Sequence, residues 1–127
     1  MKLLPALLLL ALSNAQATGW VCNVKKGVRI ERTDLVQAYS GQPVLLGRSW
    51  LMVVMLPASN IETRQAFAEL GLSPEAAERM AADTSLVDRG IRVVNSPSQL
   101  LDKVVTSQPA LGYSNFFTGT KNVTPCF

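Results

Sequence analysis

The residues best suited to chemistry lie in one short stretch, Ser59-Asn60-Ile61-Glu62-Thr63-Arg64, directly after an apolar run that ends at Pro57. A helix that starts after a buried strand turns free N–H groups and the positive end of its dipole outward, which is a setting for an anion. Arg64 supplies a cation there, and Ser59, Asn60 and Thr63 supply donors. The ligand-binding candidates are therefore Ser59, Asn60, Thr63 and Arg64, with a small anion such as phosphate as the ligand. A structural role is the alternative: Ser59 or Asn60 caps the helix, and Arg64 pairs with Glu69 or with solvent. Much other chemistry lacks its residues. The chain has no His, so it has no Ser-His-Asp triad, no Cys-His pair and no imidazole base. Asp34, Glu62, Glu69 and Asp83 can supply carboxylates, but no spacing singles out a pair. No catalytic residue, cofactor or metal is expected, and the chain reads as a binding module rather than an enzyme.

Two cysteines, Cys22 and Cys126, stand near the chain ends. With no His and no Cys-x-x-Cys spacing, neither a zinc site nor a redox pair is favoured. The N-terminus supplies the compartment. Lys2, the apolar run Leu3 to Leu12 and the small residues Ala15 and Ala17 form the pattern of a cleavable export signal over residues 1–17. That run is too short for a stable membrane anchor, and no transmembrane segment is expected after its removal. Cleavage after Ala17 leaves 18–127 as one periplasmic domain. In that oxidising compartment Cys22 and Cys126 are expected to form a disulfide. The net charge is +3, or +2 without Lys2. Lys25, Lys26, Arg29 and Arg32 read as a solvated edge or loop, and nucleic acid is not an expected partner. Asn122-Val123-Thr124 matches a glycosylation triplet of a kind that arises often by chance.

Positioning these residues requires alternating elements. Trp20 to Val24 is a β-prone run. Thr33 is a good N-cap for a short helix that Gly41 and Pro43 stop. Trp50 to Leu56 is apolar throughout, the mark of a strand buried on both faces. A helix then runs to Leu70, with Gly71 as its stop. Ser73-Pro74-Glu75 and Ser96-Pro97-Ser98 each open another helix. Ile91 to Val94 and Ala110 to Tyr113 read as strands, and 114–127 as an irregular tail. This order predicts an α/β fold: a three-layer sandwich with a mostly parallel sheet of four to five strands and helices on both faces.

Several of these segments, in this order, resemble phosphate-type periplasmic substrate-binding proteins. Thr33 to Gly41 is similar to that family's helix of leucine, two or three residues, isoleucine-phenylalanine and glycine. Asn60-Ile61-Glu62-Thr63-Arg64-Gln65-Ala66-Phe67 occupies the place of its phosphate-binding turn, and Gln108-Pro109-Ala110-Leu111-Gly112-Tyr113 that of its proline-glycine-alanine-isoleucine-glycine-tyrosine ending. The resemblance covers about Val21 to Ser114 and is nearest to short members with one lobe. It implies a periplasmic-binding-protein-like domain that binds phosphate or another small anion for an ABC transporter or a sensor. Thr63 and Arg64 match the turn. Ile61 and Glu62 replace its serine and glycine, so an apolar side chain and a carboxylate stand where a donor and open space belong. The competing expectation is a ligand-free interaction protein that keeps the fold and contacts a membrane transporter or sensor protein.

Overall fold

A computed structural model describes residues 19–83, 90–115 and 124–125. The expected export signal, most of the tail and Cys126 lie outside these residues. Strand β1 spans Trp20–Asn23, helix α1 Arg32–Tyr39, β2 Leu45–Leu46, β3 Ser49–Trp50 and β4 Met52–Met55. Helices α2 (Ile61–Glu69) and α3 (Pro74–Ala82), strand β5 (Ile91–Val93), helix α4 (Pro97–Thr106) and strands β6 (Ala110–Tyr113) and β7 (Thr124–Pro125) follow. No helix among the described residues is long and apolar enough to cross a membrane.

The main sheet has the order β5-β4-β6-β1-β7, its last member being two residues long. It is mixed, which corrects the expectation of a mostly parallel sheet. β4 runs parallel to β5 and β6, whereas β1 runs antiparallel to β6 and β7. The reason lies between β1 and β4. Helices α2 and α3 carry the chain from β4 to β5, and α4 carries it from β5 to β6, which gives parallel crossovers. From β1 the chain passes through α1 and then the β2–β3 hairpin, and it enters β4 in the opposite sense. Nothing in the alternation of strands and helices encodes that reversal.

Side chains alternate across the sheet, as a period of two requires. Trp20, Cys22, Val53, Met55, Leu111 and Tyr113 join one buried cluster, with Leu35, Ala38 and Tyr39 of α1, Ala66 and Phe67 of α2, and Ala77 and Met80 of α3. Val21, Val54, Leu56 and Ala110 join the other, with Leu100 and Val104 of α4. Strand β4 is thus buried on both faces, as its unbroken apolar run predicts. The run 50–56 is not one strand, however. Trp50 ends β3 opposite Leu45 and is exposed, so only Met52–Met55 enters the main sheet.

The helix starts follow their caps. Ser73 Oγ accepts from Ala76 N, and Ser96 Oγ accepts from Gln99 N, each with Pro at the first helical position. The expected cap at Thr33 is corrected to Glu31, because the Asp34 carboxylate accepts from the Glu31 N–H and sets the start two residues earlier. At the far end of α4, Asn23 does what no local pattern indicates. Its side-chain amide donates to the carbonyls of Val104, Val105 and Ser107, and its oxygen accepts from Gln108. Terminal carbonyls of α4 are thereby satisfied by a residue of β1. Helix α4 also lies so close to β6 that a Cβ on Gly112 would stand 2.9 Å from Leu100 Cδ2 and 3.0 Å from Val54 O. That approach is why glycine sits inside a buried strand.

Tyr39 yields a pH prediction. Its ring lies between Trp20 and Phe67, with centroids 5.4 and 5.2 Å away, and burial raises its hydroxyl pKa well above the usual tyrosine value. A raised folded pKa means that the native state keeps a proton the unfolded chain releases above pH ~10. The contribution of this residue is therefore constant below that pH and is lost as pH climbs beyond it, by up to ~1.4 kcal/mol per pH unit. Urea unfolding at stepped pH values should show this fall, and Tyr39→Phe should make it shallower with little effect at neutral pH. An unchanged slope in the variant would contradict the assignment.

Candidate functional site

The chain leaves the C-terminal end of β4 at Leu56 and turns through Pro57-Ala58-Ser59 into α2. Asn60 is the N-cap, its Oδ1 accepting from Glu62 N at 2.8 Å. One free N–H of the terminus is thereby satisfied from within the chain. Thr63 is buried, and its hydroxyl donates to the Leu56 carbonyl at 2.9 Å. That bond ties the first turn of α2 back to the strand it follows. Ser59 and Arg64 are exposed, and Ile61 is 67% exposed. The four candidates therefore divide: Ser59 and Arg64 face solvent, while Asn60 and Thr63 have their oxygens engaged in holding the helix start.

Glu62 faces inward and is only 4% exposed. The Asn115 backbone N–H donates to its Oε2. Its Oε1 is buried without a hydrogen-bond partner, the one such side-chain atom among the described residues. A carboxylate in the first turn is favourably placed in the helix dipole, and that attraction offsets part of its desolvation cost.

Two turns further along α2, the Glu69 carboxylate accepts from Trp20 Nε1 at 3.1 Å and from the Tyr113 hydroxyl at 2.6 Å. The pairing of Arg64 with Glu69 weighed from the sequence is thus replaced by these two donors. Gln65 Oε1 accepts from the Asn115 side chain at 2.6 Å. Burial, then the hydrogen bond and charge of Glu69, then the charge of Glu62 raise the Tyr113 pKa well above the ordinary value. Glu62, Gln65 and Glu69 therefore form a polar seam that joins α2 to the C-terminal end of β6 and the start of β1. Sequence reasoning left this seam out. Its signal was the spacing of three polar residues at i, i+3 and i+7 on one helix face, which a solvated stripe produces equally well.

Among the described residues no group of three or more His, Cys, Asp or Glu side chains is placed to hold a metal ion. A cleft of about 330 Å³ lies between the end of α1 and α3, and one of about 180 Å³ beside the β2–β3 hairpin; neither is lined by residues 59–64. No protein-family model, no curated protein and no solved structure matches this chain.

Proposed function

We propose that this protein is an exported, non-catalytic interaction module of the periplasm, in which the helix terminus used for anions in phosphate-type binding proteins has become a structural joint. One observation carries the reading. In the turn that resembles that family's phosphate loop by sequence, the Thr63 hydroxyl is spent on Leu56 O and the buried carboxylate of Glu62 occupies the same first turn. An anion seated on that terminus would meet a like charge. The donors left facing outward, Ser59 and Arg64, flank the exposed Ile61, so this end of the molecule offers an apolar contact point with a cation beside it. A membrane transporter or sensor protein is the partner such a surface fits, and the leader pattern of 1–17 is what supports export.

A photo-reactive residue at position 61, introduced in cells that export the protein, tests this. The expected result is one discrete adduct with an envelope protein, weakened when Arg64→Glu is added. Absence of any adduct from position 61 in well-expressed, folded protein would overturn the reading. The anion-binding alternative keeps one supporting observation, the exposure of Ser59 and Arg64 on the same turn, and thermal unfolding with and without anions separates the two.

A further inference from the structure

The end of the molecule opposite α2 carries a second surface. Asn23 of β1 and Met52 of β4 both pair with Ala110 of β6, so the end of β1 and the starts of β4 and β6 lie at one level of the sheet. From this level project the Lys25–Val28 turn and the β2–β3 hairpin. They are close neighbours, since Lys25, Val28, Leu46 and Arg48 line one cleft. In the hairpin, Leu46 pairs with Ser49 and Leu45 with Trp50, joined through Gly47 at φ +67°. Leu46 turns towards the core, so the next pair, Leu45 and Trp50, points the other way. Leu45 is 53% and Trp50 60% exposed. A leucine and a tryptophan thus stand side by side, largely exposed, on a two-stranded tip.

The charge on the turn and the hairpin themselves is one-sided. Lys25, Lys26, Arg29 and Arg48 are exposed. No Asp or Glu occurs in residues 18–30 or 35–61, so the turn and the hairpin carry cations only. The acid that follows the turn, Glu31, begins α1, where Asp34 accepts from its backbone N–H. Glu62, Glu69, Glu75 and Glu78 belong to α2 and α3, Asp83 follows α3, and Asp102 stands beside Lys103 near the end of α4 that Asn23 holds. Tryptophan and leucine at a tip ringed by Lys and Arg match a membrane interface: the ring settles among headgroups, the leucine reaches the acyl boundary, and the cations meet anionic lipid. A protein partner would need a matching acidic, apolar groove, whereas an anionic bilayer offers both features on any patch of its surface.

We infer that the β2–β3 hairpin and the Lys25–Arg29 turn form a reversible docking surface for anionic phospholipid bilayers, with Trp50 and Leu45 entering the interface and Lys25, Lys26 and Arg48 supplying the attraction. This rests on the interaction reading and adds to it where the module sits while its other end engages a partner.

The test uses purified 18–127 with vesicles of phosphatidylglycerol and phosphatidylethanolamine, and with neutral phosphatidylcholine vesicles. Trp20 is 3% exposed, so a blue shift of tryptophan emission reports Trp50. The expected result is co-sedimentation with a blue shift on anionic vesicles, lost at high salt and absent on neutral ones. Substituting Lys25, Lys26 and Arg48 by Gln should weaken binding roughly fivefold per residue, and Trp50→Ala with Leu45→Ser at least ~10-fold. All five positions are at the surface, and unchanged melting temperatures confirm folding. No binding to anionic vesicles at low salt, or binding indifferent to both variants, overturns the inference. A photo-reactive residue at position 45 sorts the failures. A protein adduct from 45 with no vesicle binding moves the hairpin to a protein partner and keeps the interaction reading. No adduct from 45 or 61 and no vesicle binding removes both.

Discussion

Phe67→Ala is expected to lower the unfolding free energy by about 3–5 kcal/mol, a large part of what a domain of this size possesses. Phe67 is 1% exposed on the inner face of α2, and its ring meets Tyr39 edge to face with centroids 5.2 Å apart. Tyr39 meets Trp20 in the same way at 5.4 Å, and Trp20 meets Tyr113 at 4.9 Å. The four rings come from α2, α1, β1 and β6, so this aromatic row spans the core under the candidate site. Truncating its first member removes the transfer term, one aromatic pair worth ~0.5–1.5 kcal/mol, and leaves a cavity that the sheet behind it resists filling. Phe67→Leu retains most of the volume and should cost less than about half as much. Because α2 is seated by this ring, Phe67→Ala should also loosen the Glu62, Gln65 and Glu69 contacts, seen as faster amide exchange at Asn115. Urea unfolding of both variants checks the order. A loss below ~1 kcal/mol for Phe67→Ala would contradict the described packing of α2.

The second large effect is expected at Cys22. We propose the bridge to Cys126, and the register of β7 supports it: Thr124 stands opposite Cys22 across the ladder, so the chain is back beside β1 two residues before Cys126. Closing a loop of ~100 residues restricts the unfolded chain, by ~4.7 kcal/mol in the entropic account, and removing a native disulfide from a small exported domain typically costs ~2–5 kcal/mol. Cys22→Ser and reduction of the unaltered protein should therefore lower the melting temperature by similar amounts, with no further effect of reductant on the variant. Unreduced, denatured protein should resist thiol reagents. Labelling of both cysteines before reduction would contradict the bridge.

Much of the fold was legible where local chemistry decides it. Ser73-Pro74 and Ser96-Pro97 announce helix starts because a hydroxyl acceptor and a residue without an N–H both fit a helix N-terminus. The run Trp50 to Leu56 announces a strand with two buried faces because no polar side interrupts it, and Met52–Met55 of it forms β4. What was not legible depends on partners distant in sequence. Trp50 belongs to the apolar run by composition, yet its pairing with Leu45 places it on an exposed hairpin. Asn23 reads as an ordinary strand residue, yet it holds the end of a helix about 80 residues away. The direction of β1 relative to β4 depends on the hairpin between them, whose two-residue strands are too short to show alternation.

The candidate site divides along the same line. Asn60 as a cap is a local matter and was within reach of the sequence. The inward turn of Glu62 is not, because a glutamate in the first turn of a helix usually faces solvent. Here it is drawn in by the N–H of Asn115 just past β6, a contact across 53 residues. The same holds for Glu69, whose donors Trp20 and Tyr113 come from β1 and β6.

The central claim is that the start of α2 is a structural joint rather than an anion site, and thermal unfolding of 18–127 tests it most directly. The melting temperature would be measured without reductant, at fixed ionic strength, with and without millimolar phosphate, sulfate and small carboxylates. The account predicts no anion-specific shift, in the unaltered protein and in Arg64→Ala alike. Binding at a hundred times its dissociation constant would add ~2.7 kcal/mol and be plain in such a trace. A rise specific to one anion that disappears in Arg64→Ala would contradict the account and restore solute binding at Ser59, Asn60, Thr63 and Arg64.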